Sequence, residues 1–208
     1  NPNNPTGSFV NRENFKELLN DVNFSSTNFF IDEAFIDFIK NGEDLSFKHF
    51  ESDRVIIIRA FTKFFGIPGL RLGYSICYNK KWVSTANNLK EPWTINTFAA
   101  SCGEFLLNSN KFIEKTYKTL EKEKNRMLNG LTKIKNIRVF KSESNFLLIK
   151  LMEISGTELY NKLLEKGFLI RRCENFNFLD DSYVRIAIKD KKSNKNFIKA
   201  INKITKNR

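Results

Sequence analysis

The 208-residue chain reads as an α/β protein in two parts. Residues 1–110 look like part of a large domain with a mainly parallel sheet. Residues 111–208 look like a smaller α+β domain. Three observations predict this. Short apolar strands in the first half are separated by helical segments, the pattern of a parallel sheet covered on both faces. From Thr94 the apolar residues change to helical spacing. After that, strands and helices alternate in a way that needs no partner from the first half.

Asn1 to Gly7 is a Pro/Asn/Gly turn cluster. Asn11 is a candidate N-cap for a helix carrying Phe15, Leu18 and Leu19. Strands are expected at Asn28 to Ile31, ending at Asp32-Glu33, then at Val55 to Ile58 and at Tyr74 to Cys77. Ile95, Phe98, Ala99, Cys102, Phe105 and Leu106 mark a helix. A longer connecting helix carries Ile113, Tyr117, Leu120, Met127, Leu131 and Ile134. Ile137 to Phe140, Phe146 to Leu151, Phe168 to Arg171 and Tyr183 to Ile188 are strand-like. A helix falls near Thr157 to Lys166, and a last one presents Phe197, Ile201 and Ile204.

Composition narrows the function classes. Hydrophobic content of 41% supports a real core. No run approaches the roughly 18 apolar residues of a membrane helix, and no leader is visible. Cys77, Cys102 and Cys173 are odd in number and scattered, which fits a reducing cytoplasm and excludes a disulfide framework. With His49 as the single histidine, no metal site is expected. The net charge of +12 comes from lysines interleaved with glutamates along helical segments, a solvated face rather than a nucleic-acid surface.

Four features carry chemistry: Asn1-Pro2-Asn3-Asn4-Pro5-Thr6-Gly7; Asp32-Glu33-Ala34-Phe35 at a strand end; Thr62-Lys63 just after the buried strand; and Gly69-Leu70-Arg71-Leu72-Gly73. Ligands of open α/β sheets bind at strand C-terminal ends, so Asp32 and Lys63 can face one crevice. A lysine in an apolar setting can form a Schiff base, and Arg71 can clamp a phosphate with its planar fork. Taken singly, each has a commonplace reading: a turn, a cap, a solvated lysine, half of an ion pair. Their order and context reverse that.

In these motifs the chain resembles the class I/II aminotransferases, pyridoxal-5′-phosphate (PLP) enzymes of fold type I. NPNNPTG, DEAF and TKFFGIPGLRLG are close to that family's signatures and occur in its order. The resemblance spans the whole chain and matches the family's C-terminal portion. A glycine-rich phosphate loop, a ring-stacking aromatic and segments clasping a neighbouring subunit are therefore expected upstream, and this segment alone is expected to bind PLP poorly. The resemblance implies that Asn4 bonds the cofactor's phenolic oxygen and Asp32 pairs with its pyridine nitrogen. It implies that Lys63 holds the cofactor covalently and is the catalytic residue, while Arg71 binds the phosphate. Two departures stand out. Ala60 replaces a frequent Ser/Thr, which leaves Thr62 as a nearby donor. Phe35 replaces a frequent Tyr.

The second half bears on substrate. Tyr183-Val184-Arg185-Ile186-Ala187 resembles the strand whose arginine binds a substrate carboxylate, and Arg171 of LIRRCENF matches an arginine for a phosphate or carboxylate. Adjacent Arg172 would face the other way. Asn4 would also border the substrate. DEAFIDF, EPWTIN and LDDSYVRIAI look more like the L-threonine-O-3-phosphate decarboxylases of cobalamin biosynthesis than like the histidinol-phosphate aminotransferases. Both branches remain open, as does a non-catalytic fragment of the fold. The family also implies a cytoplasmic homodimer, with Pro92 to Asn96 close to the active site.

Overall fold

The structure is a computed structural model and describes residues 1–206. The chain divides into two compact units: Asn1–Pro2 with Phe9–Ile113, and Asn3–Ser8 with the residues from Glu114 on.

In the first unit, helix α1 (Arg12–Asn20) starts where the Asn11 side chain accepts a hydrogen bond from the Asn14 amide at 2.8 Å. Its buried Phe15 and Leu19 pack on Phe47, Val55 and Ile57. The sheet beneath has the order β1 (Phe29–Asp32), β2 (Val55–Ala60), β3 (Gly73–Cys77), with the one-turn helix α2 (Gly42–Leu45) in the connection from β1 to β2. β1 and β2 are parallel, but β3 is antiparallel to β2, where sequence pattern predicts a parallel strand. Between β2 and β3 lie only the one-turn helix α3 (Phe61–Phe64) and a 3-10 turn at Pro68–Leu70. That is too little chain for a covering crossover helix, so the chain doubles back.

Side chains alternate between the two faces of β2. Val55, Ile57 and Arg59 are buried, while Ile58 on the other face is exposed, and Phe30, the register partner of Ile56 on that same face, is 69% exposed. The expected cover on both faces is thus met on one: α1 and its turns bury the Val55 side, and nothing among the described residues buries Phe30. Helix α4 (Lys80–Leu89) was not legible from the pattern. Its N-terminus is capped by Asn79, whose Oδ1 accepts from the Trp82 amide at 3.2 Å. Helix α5 (Thr97–Leu107) buries only Ala99 and turns Phe98 and Phe105 outward.

Helix α6 (Asn110–Leu131) leads into the second unit. There β4 (Ile137–Val139), β5 (Phe146–Leu151), β7 (Tyr183–Ala187) and β6 (Arg171–Arg172) form an antiparallel sheet in that spatial order. Helices α6, α7 (Gly156–Leu164) and α8 (Lys191–Lys206) cover it. Met127, Leu131, Leu147, Ile149, Leu159, Leu163, Val184 and Ile201 are essentially inaccessible, each worth roughly 1.5–3 kcal/mol of burial. The strand predicted over Phe168 to Arg171 shortens to Arg171–Arg172. The Phe168 amide instead donates to Leu163 O (2.9 Å) past left-handed Gly167, closing the end of α7.

Candidate active site

Asp32 and Lys63 lie at the C-terminal ends of the neighbouring parallel strands β1 and β2, where open sheets expose backbone and side chains to ligands. Asp32 is the last residue of β1. Its Oδ1 accepts from the Ala34 amide at 2.8 Å, which fixes the carboxylate at the turn. Lys63 sits on α3, whose Phe61 and Phe64 are buried so that the lysine between them faces out. Thr62 beside it is half-buried. Arg71 has left-handed backbone (φ +54°) and donates from Nη1 to Pro68 O at 3.1 Å. Among the described residues Lys63 and Arg71 make no ion pair, while the Asp32 carboxylate acts electrostatically on the Asn1 amino group; an amine, a carboxylate and a guanidinium thus lie in the same unit. Ala60, ending β2, pairs with Gly73. The Phe35 ring stacks 6.2 Å from Phe38.

The other predicted residues belong to the second unit. Asn3–Ser8 forms a closed turn, with the Asn3 amide on Ser8 O (2.8 Å) and the Gly7 amide on Asn3 O (2.7 Å). Gly7 is required there. Its φ is +70°, and a Cβ would lie 1.9 Å from Ser142 Oγ. The Glu143 amide donates to Gly7 O at 2.8 Å. The turn presents Asn4, whose Oδ1 accepts from Arg185 Nη1. Arg171 and Arg185 are register partners on β6 and β7, hence on one face of the sheet. Arg185 lies 5.0 Å from the Phe146 ring. Arg171 donates to Asn175 Oδ1 at 2.8 Å. Neither meets a carboxylate among the described residues. Burial, with the repulsion of Arg171, holds the Arg185 guanidinium below its ordinary value against the Cys173 thiol. Arg172, by contrast, is spent on Glu174 (2.9 Å) and Thr157 Oγ1 (2.7 Å).

Sequence reasoning missed a buried ionic cluster directly behind Asp32. Glu33 (0% exposed) accepts from Ser46 Oγ (2.6 Å), the Phe47 amide (2.7 Å) and Arg59 Nη1 (3.1 Å). Arg59 (2% exposed) also meets Asp37 at 3.6 Å and bonds Glu43, which in turn bonds Lys48. Burial pushes Asp37 up to about 6, against the pull of Arg59. Burial would lower Arg59, but Asp37, Tyr74 and Glu43 together hold it above its ordinary value. For Glu43 burial acts upward, and the hydrogen bonds and charges of Lys48 and Arg59 outweigh it and bring it down. The signal was in the alternation: Arg59 shares a face with Val55 and Ile57.

The model of the aminotransferase class I and II family matches residues 1–201. The chain belongs to that family. Its fold is part of fold type I of the PLP-dependent transferases. The chain is 38% identical over 208 residues to a protein of Caldanaerobacter subterraneus subsp. tengcongensis named, by inference, a threonine-phosphate decarboxylase, covering 97% of this chain and 55% of that protein. It is 32% identical over 203 residues to the histidinol-phosphate aminotransferase of Methanocaldococcus jannaschii, covering 98% and 53%. The crystal structure of the histidinol-phosphate aminotransferase from Clostridium acetobutylicum superposes with a TM-score of 0.94 at 41% identity, covering all of this chain and 63% of that one. The chain thus spans about half the length of the curated relatives it matches.

Proposed function

We propose that the protein containing this chain is a PLP-dependent enzyme acting on a phosphorylated amino acid or amine, and that its reaction is the decarboxylation of L-threonine O-3-phosphate. The observation that carries the substrate class is the in-register pair Arg171 and Arg185, two guanidiniums on one face with no ion pair to an acid among the described residues. That pair matches a doubly anionic ligand, and this substrate carries a carboxylate and a phosphate. The curated relative at 38% identity points the same way.

The residues of the first unit fit the cofactor. Lys63, Asp32 and Arg71 lie in one unit and chemically match its carbonyl, its ring nitrogen and its phosphate. When bound, PLP supplies an electron sink for the bond that breaks at the substrate's α-carbon. Lys63 would hold the cofactor and then, as a free amine, move a proton at the α-carbon. Asp32 would keep the ring nitrogen protonated. Arg71 would anchor the phosphate, with Thr62 as a neighbouring donor in place of a hydroxyl at Ala60. Asn4 would hold the phenolic oxygen and border the substrate. Arg185 would bind the α-carboxylate and Arg171 the phosphate. Together they would fix how the substrate's α-carbon is oriented, and that orientation would select the reaction. A cytoplasmic homodimer goes with this reading. The three cysteines are unpaired thiols, and no helix of the described residues is long and apolar enough to cross a membrane.

A second reading is histidinol-phosphate transamination, favoured by the 41% identical structural match. The test takes the intact protein with PLP and L-threonine O-3-phosphate, following CO₂, beside a sample with histidinol phosphate and 2-oxoglutarate. CO₂ release that is abolished in Lys63→Ala supports the decarboxylase. Glutamate formation in the second sample without CO₂ in the first refutes it in favour of the aminotransferase.

A further inference from the structure

Arg71 is placed by its neighbours rather than by its own contacts. Its backbone is left-handed, a conformation that a non-glycine residue keeps only where surrounding contacts hold it. Its side chain makes one hydrogen bond, to Pro68 O three residues back. The residues on either side, Leu70 and Leu72, are held from elsewhere. The Leu72 carbonyl accepts from the Phe61 amide at 3.2 Å, and the Leu72 side chain is buried with Phe61 and Ala99. The Leu70 carbonyl accepts from Asn96 Nδ2 at 3.1 Å. The same Asn96 side chain caps α5, its Oδ1 accepting from the Ala99 amide at 2.9 Å. One amide therefore spans 26 residues of sequence and ties the peptide before Arg71 to a helix N-terminus. The ties on the two sides use different elements: α5 before Arg71, and the start of the lysine-bearing α3 after it.

We propose that Asn96 is a positioning residue for the anion site at Arg71: its Nδ2 donor fixes the Leu70 peptide so that the guanidinium is presented to the cofactor phosphate. This rests on the reading of Arg71 as the phosphate ligand. A serine at this position keeps a neutral N-cap oxygen but lacks an amide donor to span to Leu70, so Asn96→Ser separates the two jobs of the side chain.

The test measures equilibrium binding of PLP and of pyridoxal, which lacks the phosphate, to the intact apo-protein. The ratio of the two dissociation constants reports the phosphate contact alone. We expect Asn96→Ser to weaken PLP binding about tenfold, the size of one lost hydrogen bond. Pyridoxal binding should stay unchanged, and the melting temperature should fall by no more than about 4 °C, the stability cost of the same bond. In an Arg71→Ala background, Asn96→Ser should have no further effect on the ratio, because the group it positions is gone. Three results would overturn the inference. Equal weakening of both ligands would make Asn96 a structural cap. An unchanged ratio in Asn96→Ser, with the ratio collapsed in Arg71→Ala, would mean that the guanidinium needs no such tie. An unchanged ratio in Arg71→Ala would remove the phosphate reading itself, and the inference with it.

Discussion

Replacing Arg59 by methionine should be among the most destabilising single changes in the first unit. The guanidinium is 2% exposed and sits against Glu33, which is fully buried, and against Asp37 and Glu43. Methionine fills similar volume, so little cavity cost arises. What remains is a buried Glu33 carboxylate that has lost its guanidinium and keeps Ser46 and Phe47 as donors, facing Asp37 and Glu43, with Lys48 still bonded to Glu43. Removing one partner of a buried pair costs about 3–5 kcal/mol, whereas replacing both charges can be nearly neutral. For a chain of this length that cost lowers the melting temperature by roughly 10 °C or more. The assay is urea unfolding followed by tryptophan fluorescence. It reports this unit, because both tryptophans, Trp82 and Trp93, belong to it. Arg59→Met/Glu33→Gln should recover more than half of the loss. A single-mutant cost below about 1 kcal/mol, the range of exposed pairs, would refute the picture of a desolvated cluster. So would failure of the double mutant to recover any stability.

Asp37 gives a pH prediction. Its carboxyl rises from 3.8 to about 6 on folding, so the folded state holds the proton more tightly, and stability falls as pH climbs from about 4 to about 6. The difference corresponds to about 3 kcal/mol, trimmed by solvent at a side chain that is 29% exposed. Asp37→Asn should match the parent protein near pH 4 and exceed it by about 1–2 kcal/mol at pH 7, and a constant difference across that range would contradict the assignment. Gly7→Ala should destabilise the second unit by about 2 kcal/mol or more, through left-handed strain and the approach to Ser142. Adding Ser142→Gly should relieve the collision but not the strain, as read by circular dichroism melting; full recovery would show that backbone strain is absent.

The places of Asp32, Lys63 and Arg71 around the strand ends were legible because each stands in a local motif. Asp32 ends an apolar run, Lys63 follows one, and Gly69 and Gly73 frame Arg71. The core was legible by period: Met127 and Leu131 on a helix, and Phe146 to Leu151 as a strand buried on both sides. What escaped depends on contacts distant in sequence. The direction of β3 follows from the length of a connection, which composition does not encode. The burial of Glu33 depends on Arg59, 26 residues away, and a charged residue inside a strand looks the same on paper whether its face is buried or wet. Asn96 caps α5, and its second bond, to Leu70, is visible only in three dimensions. Phe98 and Phe105 kept their helical spacing, yet spacing does not say which stripe finds a partner.

The polypeptide visits the first unit with Asn1–Pro2, crosses to the second with Asn3–Ser8, returns at Phe9 and leaves again after Ile113. Neither unit is therefore a continuous stretch of gene. A recombination event that cut once near codon 113 would deliver a second unit stripped of Asn4, the partner of Arg185, and of Gly7, which backs onto Ser142. The Asn3–Ser8 turn works as a staple that ties the inheritance of the two halves together. Lineages could exchange the whole span, or single side chains within it, far more readily than one half for another.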